Sequence, residues 1–170
     1  MVQLLSFLRL FLAALLFIMP LSSASASDNP IGFVADNVVV KQNDGSLFAT
    51  GNVELKQGKN TLRADEVTYY REQNKAIARG NVIHNDAEGT VTRANMMELD
   101  TEFSHILAET IISKFASGDW IAADNVDRIA GDKGVFKNSF FTPCNCNFVN
   151  GEQPLWDIKA SQSVRNEKTQ

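Results

Sequence analysis

Cys144 and Cys146 are the side chains best suited to covalent linkage, and His84 and His105 are the two histidines able to move a proton near neutral pH. In an extended segment residues i and i+2 point the same way, with Cα atoms near the ~7 Å limit for bridging. A bond between Cys144 and Cys146 therefore needs a sharp turn, and partners elsewhere are expected, in another chain or in a continuation of this one. Zinc held by both cysteines and both histidines is the rival, but the ligand spacing matches no common site. A reduced, inert pair is the plainest alternative. No Ser, Cys or carboxylate stands near either histidine in a catalytic arrangement, so both are expected to be partly exposed strand-end residues. Carboxylates occur one or two per turn; such pairs can serve a glycosidase, but polar turns produce them anyway. No catalytic residue, metal site or cofactor is expected, and the chain does not read as an enzyme.

The elements that carry these residues repeat. Ala35-Asp36-Asn37-Val38 returns about every thirty residues as Ala64-Asp65-Glu66-Val67, Ala94-Asn95-Met96-Met97 and Ala123-Asp124-Asn125-Val126. A companion phrase keeps step: Ala49-Thr50-Gly51-Asn52-Val53, Ala78-Arg79-Gly80-Asn81-Val82 and, more weakly, Ala108-Glu109-Thr110-Ile111-Ile112. Two phrases per cycle predict one β-hairpin per cycle. Turns are expected at Asn43-Asp44-Gly45, Gln57 to Asn60, Glu72 to Asn74, Asn85 to Gly89, Thr101 to Ser104 and Gly131 to Gly134. Between them lie runs rich in β-branched and aromatic residues, and the helix that might be drawn through Met96 to Ser113 lacks a sustained apolar stripe. The last strand is expected at Leu155 to Ala160, and Arg165 to Gln170 reads as a turn whose following strand is missing, so a truncated chain is expected.

One detail of spacing matters. Leu62 and Ala64 share a strand face, but Val67 falls three residues after the Ala, on the opposite face of a straight strand. A bulge or bend at the polar Asp-Glu or Asp-Asn step would turn both apolar pairs to one interior. That interior is either a closed core or an open slot between parted sheets.

Residues 1–26 read as a signal peptide: Arg9, an apolar run from Leu10 to Met19, and the small-x-small Ala24-Ser25-Ala26. Setting them aside removes Arg9 and no acid, so 16 basic residues become 15 against 20 acidic, a net charge of −5. Nucleic acid is excluded as a partner on that balance. Export favours an oxidising compartment in which disulfides persist. Residues 27–142 then carry the repeats, and residues 143–170 a Cys-x-Cys junction with the last strands.

The phrases "FVADNV", "LRADEV", "ATGNVEL" and "ARGNVIH", with the later "GVFKNSFFTPCNCNFVNGEQPLWDIKA", resemble the OstA family over about Asn29 to Gln170. Within that family the chain is similar to the amino-terminal periplasmic domain of an outer-membrane assembly protein. The resemblance implies an all-β fold, an open, twisted antiparallel β-jellyroll of roughly 30-residue hairpin repeats. It implies a module that passes lipopolysaccharide across the periplasm to the outer membrane, with lipid A acyl chains in an apolar groove. Groove candidates are Phe33, Val53, Leu55, Leu62, Val67, Tyr69, Val82, Met97 and Leu99. Implied partners are lipopolysaccharide, a periplasmic bridge protein stacked edge to edge, and an outer-membrane β-barrel with its lipoprotein plug. The resemblance implies disulfides from Cys144 and Cys146 toward that barrel; the cysteine that some members carry near the mature amino terminus is absent here. The alternatives are a soluble bridge protein of the same family and a β-helix acting on polysaccharide.

Overall fold

The computed structural model describes residues 31–144, 146 and 151–167. The expected signal peptide and part of the Asn145–Asn150 segment lie outside them. The described residues form one ten-stranded antiparallel sheet: β1 (Gly32–Val34), β2 (Asn37–Val40), β3 (Leu47–Gln57), β4 (Asn60–Tyr70), β5 (Lys75–Asn85), β6 (Val91–Asp100), β7 (His105–Lys114), β8 (Trp120–Ile129), β9 (Lys133–Thr142) and β10 (Ile158–Asn166). Each of β3 to β9 pairs with its sequence neighbour, while β1 and β2 both pair with β3. A 3-10 turn at Arg71–Gln73 is the helical element among the described residues. Met96 to Ser113 is two strands and a turn.

Every long strand bends at the repeated phrase. Ala64 and Val67 are both buried while Asp65 and Glu66 between them are exposed, so the chain does rotate at the Asp-Glu step. Its neighbour β5 answers with Gly80-Asn81, whose φ values of +72° and +45° are left-handed. These two residues put one extra residue into β5 relative to β4 and β6, a β-bulge on both sides. Asn81 Nδ2 donates to Asp65 Oδ2 at 2.8 Å, and the same bracket joins Asn52 to Asp36 at 2.9 Å and Asn138 to Asp124 at 2.8 Å. Glycine is required beside it: a Cβ on Gly80 would stand 2.4 Å from Asp65 Oδ2. In the third cycle Ala108 and Ile111 are only three apart and Thr110 alone takes the positive φ, +51°.

The line of bends folds the sheet on itself. A first half-sheet holds β1, the later halves of β3, β5, β7 and β9, and the earlier halves of β4, β6, β8 and β10. A second holds β2 and the remaining halves. Val53, Leu62 and Val82 on the first half and Val67, Ala78 and Met97 on the second are at most 1% exposed and belong to one core. Burying each large side chain contributes ~1.5–3 kcal/mol. Contacts across the fold confirm the shared interior: His84 of the first half stacks on Phe103 of the second, ring centroids 5.3 Å apart. The edges stay open and apolar, with Val34, Val39 and Val40 at one and Ile158 and Val164 at the other exposed.

Two expectations are corrected. The last strand is Ile158–Asn166 rather than Leu155–Ala160, because Leu155 and Trp156 run past the end of β9 and the ladder with β9 starts at Ile158. The single extended segment from Phe33 to Val40 is two strands, broken at Ala35-Asp36 where the Asp36 N–H donates to the Gly51 carbonyl at 2.9 Å.

Candidate functional site

At the amino-terminal edge the two half-sheets part around a cavity of about 220 Å³. Phe33 and Leu55 stand on one wall, Leu47, Val67, Tyr69 and Leu99 on the other, with Ile31, Ala76 and Phe103 closing its ends. Thus Phe33, Leu55, Val67, Tyr69 and Leu99, five of the nine groove candidates, are brought together. Val53, Leu62 and Val82 instead pack shut along the line of bends, and Met97 faces a second, smaller space. Leu47 and Ala76 were legible as apolar strand residues near turns. Phe103 was not: it sits in a turn at φ +57°, a conformation bulky residues rarely take.

Beyond this cavity the interior changes character. Two residues after the second buried position of each cycle, the repeat places Val40, Tyr69 and Leu99, and then Arg128. On the answering strands the same offset gives Leu55, then His84 and Ser113. His84 pairs in register with Thr92 and Thr92 with Ser113, so the polar residues form a row across β5, β6 and β7. Thr92 and Ser113 hydroxyls hydrogen-bond at 2.8 Å. The space they share with Met97, Phe136 and Arg128 is only about 30 Å³, room for a water or two.

Arg128 is fixed from both sides. Its Nη2 lies 3.1 Å from Asp86 Oδ2, in the turn after β5, and 3.3 Å from Glu167 Oε2, just after β10, while Nε donates to Glu167 Oε1. Burial disfavours the guanidinium charge, but Glu167 and Asp86 outweigh it and hold the pKa above its ordinary value. Asp86 is itself anchored, accepting the N–H groups of Glu88 and Thr90 at 3.1 and 2.7 Å.

His84 is buried, contrary to expectation, because Val82 and His84 continue the inward face of β5. Among the described residues its Nε2 has no hydrogen-bond partner. Burial pushes its pKa from 6.5 down to about 4; the Asp86 charge pulls up and Arg128 pushes down. The unfolded chain thus binds the proton first, and stability present above pH 6.5 is lost as pH falls toward 4. The loss is at most about 3 kcal/mol over that interval. Urea midpoints at pH 7 and pH 5 check this: His84→Leu, which restores the residue type at Leu55, should flatten the wild-type difference. His105 is an exposed residue beside Asp127, 2.9 Å away.

Cys144 and Cys146 are joined to each other with Cα atoms 5.1 Å apart, inside the range a disulfide spans. The chain turns there, with the Cys144 N–H donating to Thr142 Oγ1 at 3.3 Å. The geometric objection to an internal pair, which assumed an extended segment, does not hold at this turn.

A bent, open β-sheet with an alkane-like slot and no nucleophile or acid–base pair in it defines a class of protein that holds apolar chains rather than one that transforms them. The family model described as "LptA/(LptD N-terminal domain) LPS transport protein" matches residues 33–132. The chain belongs to that family. It is 31% identical over 129 residues to the LPS-assembly protein LptD of Paracidovorax citrulli, covering 75% of this chain and 16% of that protein. It is 29% identical over 163 residues to LptD of Sodalis glossinidius, covering 89% of this chain and 20% of that protein. The chain therefore spans a fifth or less of the length of these relatives, which are assembly proteins rather than enzymes. The crystal structure of LptH from Pseudomonas aeruginosa, the LptA-homologous periplasmic component of a lipopolysaccharide transport device, shares the fold. Its TM-score is 0.53 at 15% identity, over 59% of this chain and 76% of that one.

Proposed function

We propose that this chain is a periplasmic conduit module that carries lipopolysaccharide toward the outer membrane, with lipid A acyl chains in the slot and the sugars outside. The observation that carries the reading is the apolar cavity between Phe33, Leu55, Tyr69 and Leu99, open where the half-sheets part. An alkyl chain gains there what it loses in water, ~0.8 kcal/mol per buried CH₂. The exposed edge at β1 and β2 suits edge-to-edge stacking with a bridge protein, because unpaired strand edges accept a further strand. The β10 end would lead toward a β-barrel and its lipoprotein plug, and an exported domain of this kind works in the periplasm at the outer membrane.

Neighbouring residues on β4 test the slot. Tyr69 lines it and Thr68 faces away. Tyr69→Glu should weaken lipopolysaccharide binding by about tenfold or more, equivalent to ~1.4 kcal/mol, while Thr68→Glu leaves it within about twofold. Equal effects of the two substitutions would contradict the assignment. The second reading, a free soluble bridge protein, is favoured by the likeness to LptH; the reading frame after Gln170 separates it, since a long barrel-like continuation excludes it.

A further inference from the structure

The apolar slot does not continue through the molecule. Where the repeat puts Tyr69 and Leu99, it puts Arg128 in the last cycle, and the interior there shrinks from about 220 to about 30 Å³. Arg128 stands on the second half-sheet. Asp86 belongs to the rim of the first, and Glu167 follows β10, so one guanidinium ties three separated parts of the rim together. The side chains of Arg128, Asp86 and Glu167 are 18%, 3% and 13% exposed. A second tie lies beside it, the Arg165 guanidinium 3.5 Å above the Phe115 ring, again across the halves. The cluster is not an anion site, because one Arg128 charge faces Asp86 and Glu167, with Glu88 4.0 Å away.

We propose that the Arg128–Asp86–Glu167 network is a latch that holds the half-sheets together behind the slot and must open before an acyl chain passes toward β9 and β10. The proposal rests on the conduit reading above. Its physical logic is that an ion pair bridging two sheets can be broken and remade, whereas a continuous apolar core could not part without exposing its whole area to water. Arg128 keeps its partners while the interior is empty. An arriving alkyl chain fills the gap that parting leaves, and the released charges reach water at the rim, where Glu88 is already exposed.

The test places a diazirine-bearing phenylalanine analogue at Tyr69, in the slot, or at Phe136, behind the latch, in the full chain. Each is irradiated with lipopolysaccharide. Capture at Tyr69 should exceed capture at Phe136 by at least about fivefold, since an acyl chain cannot share so small a space with folded side chains. The combination R128L, D86N and E167Q, which removes every charge of the latch, should bring the two within about twofold. Glu167→Gln alone, which leaves the Arg128–Asp86 pair, should raise the Phe136 signal part of the way and decides the matter where the triple variant melts early. Equal capture at both positions in the unaltered background, or an unchanged ratio in variants that melt normally, overturns the latch and leaves the conduit standing. Absence of capture at both positions overturns the conduit, and the latch with it.

Discussion

Arg128→Ala is expected to lower the stability of the folded chain by about 3–5 kcal/mol, the cost of leaving a buried carboxylate without its partner. Asp86 is 3% exposed and cannot turn to water, since its other oxygen is committed to the N–H groups of Glu88 and Thr90. Glu167 would keep only the Gly131 N–H, at 3.1 Å. The combined R128L, D86N and E167Q variant should lose far less, because the desolvation penalty disappears along with the attraction that offset it. Asparagine at position 86 still accepts the turn's N–H groups, and leucine at 128 is what the repeat carries at Leu99. Urea unfolding checks the pair of results. A triple variant as unstable as Arg128→Ala would mean that the charges are not what holds this end together.

Gly80→Val should cost about 4 kcal/mol or more. A β-branched residue forced to a left-handed φ loses ~2 kcal/mol, and breaking the Asn81 to Asp65 bracket removes ~1. The new Cβ must also displace the Asp65 carboxylate from 2.4 Å. The damage should spread, because the bulge in β5 sets register with both β4 and β6. Gly131→Val is the control: its φ is also positive, +67°, but nothing lies within 4 Å of the added atom. It should show the strain without the clash, and melting curves of the two variants separate these contributions. At this chain length 1 kcal/mol moves Tm by ~3 °C.

The repeat and its bend were readable from spacing alone. Ala64 and Val67, three apart yet both apolar, demand a rotation between them, and the structure supplies it. The other half of the device was hidden, because Ala78 and Val82 are four apart and already share a face on a straight strand. Nothing in their alternation announces that Gly80-Asn81 is a bulge. His84 and Arg128 were legible in principle: each stands at an offset where earlier cycles carry Leu55 or Tyr69 and Leu99. Their ionisable side chains argued for the surface, and the interior partners that overrule this come from Asp86 and Glu167, far away in sequence. Phe103 had no signal, since an aromatic in a left-handed turn violates the turn chemistry that sequence reasoning relies on. The slot itself depends on how far two halves of one sheet stand apart, a quantity set by the summed bends of many strands rather than by any one phrase.

Phe33 and Val34 put the central claim most directly to the test. They are adjacent on β1, both apolar and both accessible, at 39% and 65% exposure. Phe33 faces the slot and Val34 the outside of the edge. With a photoreactive phenylalanine analogue at one or the other and purified lipopolysaccharide as the only added lipid, position 33 should yield the adduct and position 34 should yield at most a tenth as much. Comparable adducts at both would mean that lipid merely coats an exposed apolar edge, and the account of the slot as an acyl-chain path would be wrong.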